Sequence, residues 1–324
     1  MIPPTQNRTH APMPERIIID TDPGHDDAFA ILLALASPEL DVLGITTVAG
    51  NVPVAVVTAN ARRIVELAGR PGIPVHQGAE RPLLRDPMHA ADIHGDTGID
   101  GYDWPAPANP PEAEHALDFM VRTLTAAEPR SVTLVPLGPL TNIALLLRRA
   151  PHLSDRIRRI VLMGGGFFEG GNYAPAAEFN ILVDPEAAAI VFGAGIELAA
   201  MPIDCTNNTL TPDWWIGRLA ALGTRVGDAC AGMQRFFEIA GNRKYGTRTR
   251  PLHDVLAMAY LLWPDLFAGR LCNVEIETNS ELTRGATVVD WWYRTTRPHN
   301  CTWVRQCLDT PELYTRILAR LATL

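Results

Sequence analysis

Four carboxylates crowd the start of the chain: Asp20, Asp22, Asp26 and Asp27, within the run RIIIDTDPGHDDAFAILLALAS from Arg16 to Ser37. Like charges so close repel one another unless something positive lies among them. A hard divalent cation answers that need, because Ca2+ and Mg2+ draw their ligands from carboxylate and carbonyl oxygen. Each acid also has a plain structural use. Asp26 or Asp27 suits the first turn of a helix, where a carboxylate accepts backbone N–H bonds. Asp20 and Asp22 suit a turn beside Pro23 and Gly24. One cap and one turn residue would be unremarkable, but four in so short a span point to a site.

The elements that must hold these acids follow from the apolar pattern. Arg16 to Ile19 is a β-branched run that reads as a buried strand. Pro23 and Gly24 break it, and the composition from Asp27 to Ala36 favours a helix. Further strands are expected at 41–48, 73–76, 131–136, 159–163 and 197–201. Helices are expected at 54–68, 112–127, 140–149 and 185–192. This alternation predicts an α/β fold, a single-domain open, mostly parallel sheet flanked by helices. Additional C-terminal helices and strands complete it. They are a mostly helical stretch from Thr211 to about Asn242, a basic loop RKYGTRTR, a helix opened by His253 and Asp254, strands in NVEIET, TVVDWW and CTWVRQ, and a terminal helix. Residues 16–324 form that domain, behind a loose tail over 1–15.

In open sheets of this kind ligands bind beyond the carboxyl ends of the strands. The segments 20–27, Asn51, Leu137, 172–180 and Asp204 each follow an expected strand and so could converge. The long Pro-, Gly- and His-rich stretch from Gly78 to Pro111 carries His94, and a loop of that length is usually functional.

Composition narrows the classes. The chain has 324 residues, a formal net charge of −8 and a hydrophobic fraction of 47%. No basic stripe marks a nucleic-acid surface. No apolar run reaches membrane-spanning length, and residues 1–16 lack the apolar core of a secretory signal. Five cysteines without C-x-x-C spacing argue against a disulfide framework or a zinc site. A cytoplasmic location is expected, with no nucleic-acid or membrane partner.

The runs DTDPGHDDAFAILLA, ITTVAGN, IHGDTG, LGPLTNIA, MGGGFFEGGNYAPAAEFN and PLHD, in that order, resemble the inosine–uridine-preferring nucleoside hydrolases. The likeness runs from about Arg16 to Ala259 and is looser beyond Ala286. It implies an N-glycosidase that splits a ribonucleoside into ribose and free base with one Ca2+. By that resemblance Asp22 is both a calcium ligand and the general base that takes a proton from water. Asp27, Asp254 and the carbonyl of Leu137 (Thr in many relatives) are further ligands. Asp26, Asn51, Asn172, Glu178 and Asn180 would hold the ribose, with Phe179 also among the substrate-binding residues. His253 would protonate the departing base, His94 would touch it, and Asp20 would support the ligands around it. Phe236, Phe237 and Tyr245 are candidates for the base side. The family also implies a homodimer or homotetramer.

The chemistry agrees. Breaking a glycosidic bond builds positive charge on the sugar, as in other oxocarbenium-like transition states. Carboxylate and amide oxygens around the ribose would stabilise it. A nucleobase leaves poorly as an anion, so an imidazole donor helps.

Taken singly, His94 reads as an exposed loop residue, Asp254 as a cap, Asn51 as a turn residue and Glu178 as a surface acid. Gly164 to Gly166 lacks a phosphate-loop pattern and suits close packing. The Trp pairs 214–215 and 291–292 read as core or interface aromatics. Two rival functions remain. An aspartyl-nucleophile phosphatase would want a Lys after Asp22, and Lys244 is the only one in the chain. A non-catalytic nucleoside-binding protein would bind ribose yet release no reducing sugar.

Overall fold

The structure is a computed structural model, and it describes residues 13–245 and 251–324. Its first half alternates as the apolar runs require: β1 (Glu15–Thr21), α1 (His25–Leu35), β2 (Leu40–Thr47), α2 (Val54–Leu67) and β3 (Val75–Gln77). After a long connection holding the short α3 (Ala91–His94) come α4 (Ala116–Thr125), β4 (Val132–Pro136), α5 (Thr141–Arg149) and β5 (Ile157–Met163). A second irregular stretch leads to α6 (Phe179–Val183), α7 (Pro185–Phe192), β6 (Leu198–Met201) and α8 (Ile203–Thr206). The C-terminal part contains α9 (Trp215–Ala220), α10 (Arg225–Tyr245), α11 (His253–Leu262), β7 (Phe267–Cys272), β8 (Val274–Ile276), β9 (Thr287–Val289), β10 (Cys301–Cys307) and α12 (Thr310–Leu321).

Eight strands form one sheet in the order β3-β2-β1-β4-β5-β6-β10-β7. Every neighbouring pair is parallel except β10 with β7. The expected mostly parallel α/β architecture is therefore present. Alternation along β1 shows how both faces are sealed: Ile17 and Ile19 pack into one core with α1 and α11, and Ile18 into the other with α4, α5 and α7. All of α1 is buried, which explains why its sequence is apolar all round.

The departures are local. The first strand begins at Glu15, inside the stretch expected as a tail, and residues 1–12 lie outside the described residues. The helix expected from Glu112 begins at Ala116, where the side chain of His115 accepts the Leu117 N–H. NVEIET and TVVDWW supply only the small antiparallel pair β8–β9, apart from the main sheet. The edge strand β7 was not expected. The helical stretch runs on to Tyr245, into the first residues of the expected basic loop, and residues 246–250 lie outside the described residues.

The loop after β5 is pinned to the end of β6. Asp204 accepts the N–H groups of Phe167 (3.1 Å), Phe168 (2.9 Å) and Glu169 (2.9 Å), and the indole N–H of Trp303 at 2.8 Å. Gly165 has φ of +88°, and a Cβ there would lie 2.8 Å from the Trp303 ring, so both backbone and space call for glycine. Among the described residues no helix is long and apolar enough to cross a membrane.

Candidate active site

The connections at the carboxyl ends of β1, β2, β4 and β5 meet over one cavity of about 480 Å³. Its floor is acidic. Asp22 lies just past β1, buried, with Oδ2 accepting the Asn51 N–H at 2.7 Å. Two glycines press on this carboxylate: a Cβ at Gly50 would come within 2.0 Å of Oδ2, and one at Gly138 within 2.2 Å of Oδ1. The turns after β2 and β4 thus leave room for Asp22 only because they carry no side chain there. Asp27 accepts the Thr21 hydroxyl and, at 2.8 Å, the Gly24 N–H. Asp254 arrives from the start of α11, which packs along α1.

Asp26, Asp27 and Asp254 each place an oxygen within 4.8 Å of the others. Asp22 lies close enough to feel the charge of Asp27 and to act on Asp254 in turn. The tightest trio thus contains Asp26, a sugar contact by resemblance. None of these four acids is more than 5% exposed, and among the described residues no ion pair reaches them. Burial pushes all four carboxyls upward. The charge of neighbouring acids adds to it for Asp22, Asp26 and Asp254, taking Asp22 and Asp254 well above the ordinary value and Asp26 to about 7, whereas hydrogen bonds from Thr21 and Gly24 partly offset it at Asp27. Ionised together, they demand a cation. The donors are all oxygen, including the Leu137 carbonyl on the cavity wall, and this set fits a hard divalent ion.

The walls come from later segments. Glu178 caps α6, taking the N–H groups of Asn180 (2.9 Å) and Ile181 (3.3 Å), and also that of Gly165 at 3.0 Å. Burial drives its carboxyl up to about 7. It is therefore a cap and a cavity-lining acid at once. Asn172 accepts the Phe179 N–H at 3.0 Å, and Asn180 donates to the Leu137 carbonyl at 2.7 Å. At the far side His253 contacts the Thr206 hydroxyl through Nδ1 at 2.6 Å.

The sequence-derived residues Asp26, Asn51, His94, Leu137, Asn172, Glu178, Phe179, Asn180, His253 and Asp254 all line the cavity, whereas Asp22 and Asp27 are not among its lining residues and are buried beside Asp26 and Asp254. Asp20 does not line it. One of its oxygens accepts from Thr46 (2.5 Å) and Asn142 (2.8 Å), its other oxygen has no partner among the described residues, and burial raises its carboxyl to about 7. Phe237 reaches the cavity, whereas Phe236 stacks behind it on His25. The side chain of Tyr245 lies outside the described residues.

Sequence reasoning passed over Tyr173, Asn207, Leu210 and above all His25, which is fully buried and packed against His94. An imidazole between Gly24 and the acids was its only signal. Trp215 is a core residue and Trp214 is part-exposed beside it.

Fold and site together define a class: an α/β enzyme whose cavity combines a buried acidic floor with amide and imidazole walls. Residues 17–315 match the model of the family described as "Inosine-uridine preferring nucleoside hydrolase", and the chain belongs to that family. It is accordingly a hydrolase acting on N-glycosyl compounds, and its substrate class is the ribonucleoside. The pyrimidine-specific ribonucleoside hydrolase RihA of Photobacterium profundum is 48% identical, over 90% of this chain and 93% of its own. An uncharacterized protein of Schizosaccharomyces pombe is also 48% identical, over 95% and 99%. Among solved structures, a purine-preferring ribonucleoside hydrolase from Gardnerella vaginalis superposes with a TM-score of 0.89 at 32% identity, covering 95% of this chain and 98% of the other.

Proposed function

We propose that this enzyme hydrolyses pyrimidine ribonucleosides most readily, and does so with Ca2+ on its acidic floor. The observation that carries this reading is the convergence of buried carboxylates, without an ion-pair partner among the described residues, beneath a nucleoside-sized cavity. Asp22, Asp27, Asp254 and the Leu137 carbonyl would hold the ion. Once bound, Ca2+ would lower the pKa values of these carboxyls and of a nearby water and would draw in the sugar diol. Asp22, so ionised, takes the proton of the water that attacks the anomeric carbon. Asp26, Asn51, Asn172, Glu178 and Asn180 grip the ribose hydroxyls and face the positive charge that develops on the ring. Phe179 packs at the same wall. His253, oriented by Thr206, gives a proton to the departing base. The pyrimidine preference rests on the likeness to the pyrimidine-specific hydrolase RihA and on the His253 position.

Reducing-sugar release should be measured over uridine, cytidine, inosine, adenosine and guanosine, with and without chelator. Cytidine or uridine should be split fastest, chelator should abolish the reaction, and Ca2+ should restore it. Deoxyribonucleosides should be much poorer, since the 2′-hydroxyl is a grip point. Equal rates on both sugars would sink the assignment of the diol contacts. Activity confined to phosphate esters would favour the phosphatase alternative, and tight binding without release the non-catalytic one. The same reading has the enzyme as a cytoplasmic homodimer or homotetramer. All five cysteines are free, which supports the location, and light scattering tests the assembly.

A further inference from the structure

His25, the first residue of α1, sits in a stack of rings. Its ring centroid lies 5.5 Å from His94, 5.3 Å from Phe236 and 5.4 Å from Phe237. Its Nε2 is 2.8 Å from the carbonyl oxygen of Asp100. A carbonyl only accepts, so Nε2 carries a proton. An imidazolium buried in such an apolar stack is costly, so His25 is neutral and its Nδ1 is bare. That bare Nδ1 lies 3.3 Å from Nδ1 of His94.

Two nitrogen lone pairs at that distance repel, and the contact becomes a bond only if His94 brings the proton. The backbone N–H of His25 is also directed at His94 Nδ1 as its acceptor, at 3.4 Å. It is the longer of the two contacts, and it competes only if Nδ1 of His94 is bare. We propose that His25 is a positioning residue: by accepting from Nδ1–H of His94 it fixes that tautomer and ring tilt, so that His94 meets the base with a bare Nε2. His94 is then a hydrogen-bond acceptor for an N–H edge of the base, and delivery of the proton falls to His253 alone. This assignment of roles rests on the ribonucleoside hydrolase reading, whereas the tautomer itself does not. Ring orientation set by a partner on the other nitrogen is how functional imidazoles are generally held.

The test is a long-range 1H–15N correlation spectrum of the full-length protein with 15N-labelled histidines at neutral pH, with His94→Gln and His25→Asn spectra giving the assignments. His94 should appear protonated at Nδ1 and bare at Nε2, and His25 the reverse. A His94 protonated at Nε2 overturns the proposal. Two variants give the functional arm. His25→Leu removes the acceptor; His94 should lose its single tautomer and kcat should fall about 10- to 100-fold, as for other outer partners of a functional imidazole, with KM little changed. His25→Asn sets an amide oxygen where Nδ1 was and should retain both tautomer and most of kcat. If His25→Leu keeps the Nδ1–H tautomer and full kcat, His25 positions nothing. Should that variant not fold, the wild-type and His25→Asn spectra decide. A wild-type enzyme that freed no ribose would refute the hydrolase reading, and the spectrum would still judge the tautomer.

Discussion

Asp22 is held on three sides: by the Asn51 N–H and by the bare faces of Gly50 and Gly138. Asp22→Asn preserves shape while removing the base and an anionic ligand. Sugar release should fall by about 10²–10⁴-fold or more, with the far-UV circular dichroism spectrum unchanged. Gly50→Ala should damage activity through the same carboxylate, because the added methyl must displace Asp22. A calcium titration of that variant should show weakened binding. His253→Ala should lose activity on natural nucleosides by about 10²–10⁴-fold, yet keep most of its rate on a nitrophenyl riboside, whose leaving group needs no proton. Equal losses on both substrates would remove His253 from the acid role. At this scale the sequence was informative about acids and much less so about histidines. Asp20 to Asp27 stand together in the chain, so their crowding is visible as text. The link of His25 to His94 spans 69 positions and exists only once α3 folds over α1.

Asp204 shows what an element gains from one buried acid. Its carboxylate collects three successive backbone N–H groups of the loop after β5 and the indole of Trp303 on β10. Asp204→Asn replaces an acceptor oxygen with a donor facing other donors. A loss of roughly 1–3 kcal/mol is expected, measured by chemical denaturation, together with a raised KM because the loop carries Asn172 and Glu178. A stability change with unaltered KM would show that the loop holds its shape without this pin. The β/α alternation from Arg16 to Met201 was legible because strands buried on both faces are continuous apolar runs. The edge strand β7 was not. FAGRLC is buried only at its two ends, with exposed positions between them and a glycine inside, so neither a solid run nor a clean alternation marks it. The pairing that makes it a strand comes from β10, some thirty residues on.

For the molecule as a whole, the raised acids govern stability near neutrality. Asp20, Asp26 and Glu178 titrate near 7 in the folded chain, well above their ordinary values. Between those ordinary values and 7 the folded state holds more protons than the unfolded one, so stability falls as pH rises. His25 and His94 are pushed down, His25 to about 4, and favour the fold as pH rises towards the usual histidine value; above it they contribute no slope. In chelator, the melting temperature should therefore drop between pH 6.5 and 8. Calcium at about one hundred times its Kd should add roughly 2.7 kcal/mol and flatten that drop. A chelated protein that melts higher at pH 8 than at pH 6.5 would contradict this balance. The acidic floor also imposes an order on synthesis. Asp22, Asp26 and Asp27 leave the ribosome early, while Asp254 follows more than two hundred residues later on the helix that covers α1. A nascent chain therefore carries three mutually repelling acids through most of its translation, and the floor closes only when α11 has emerged to deliver the fourth.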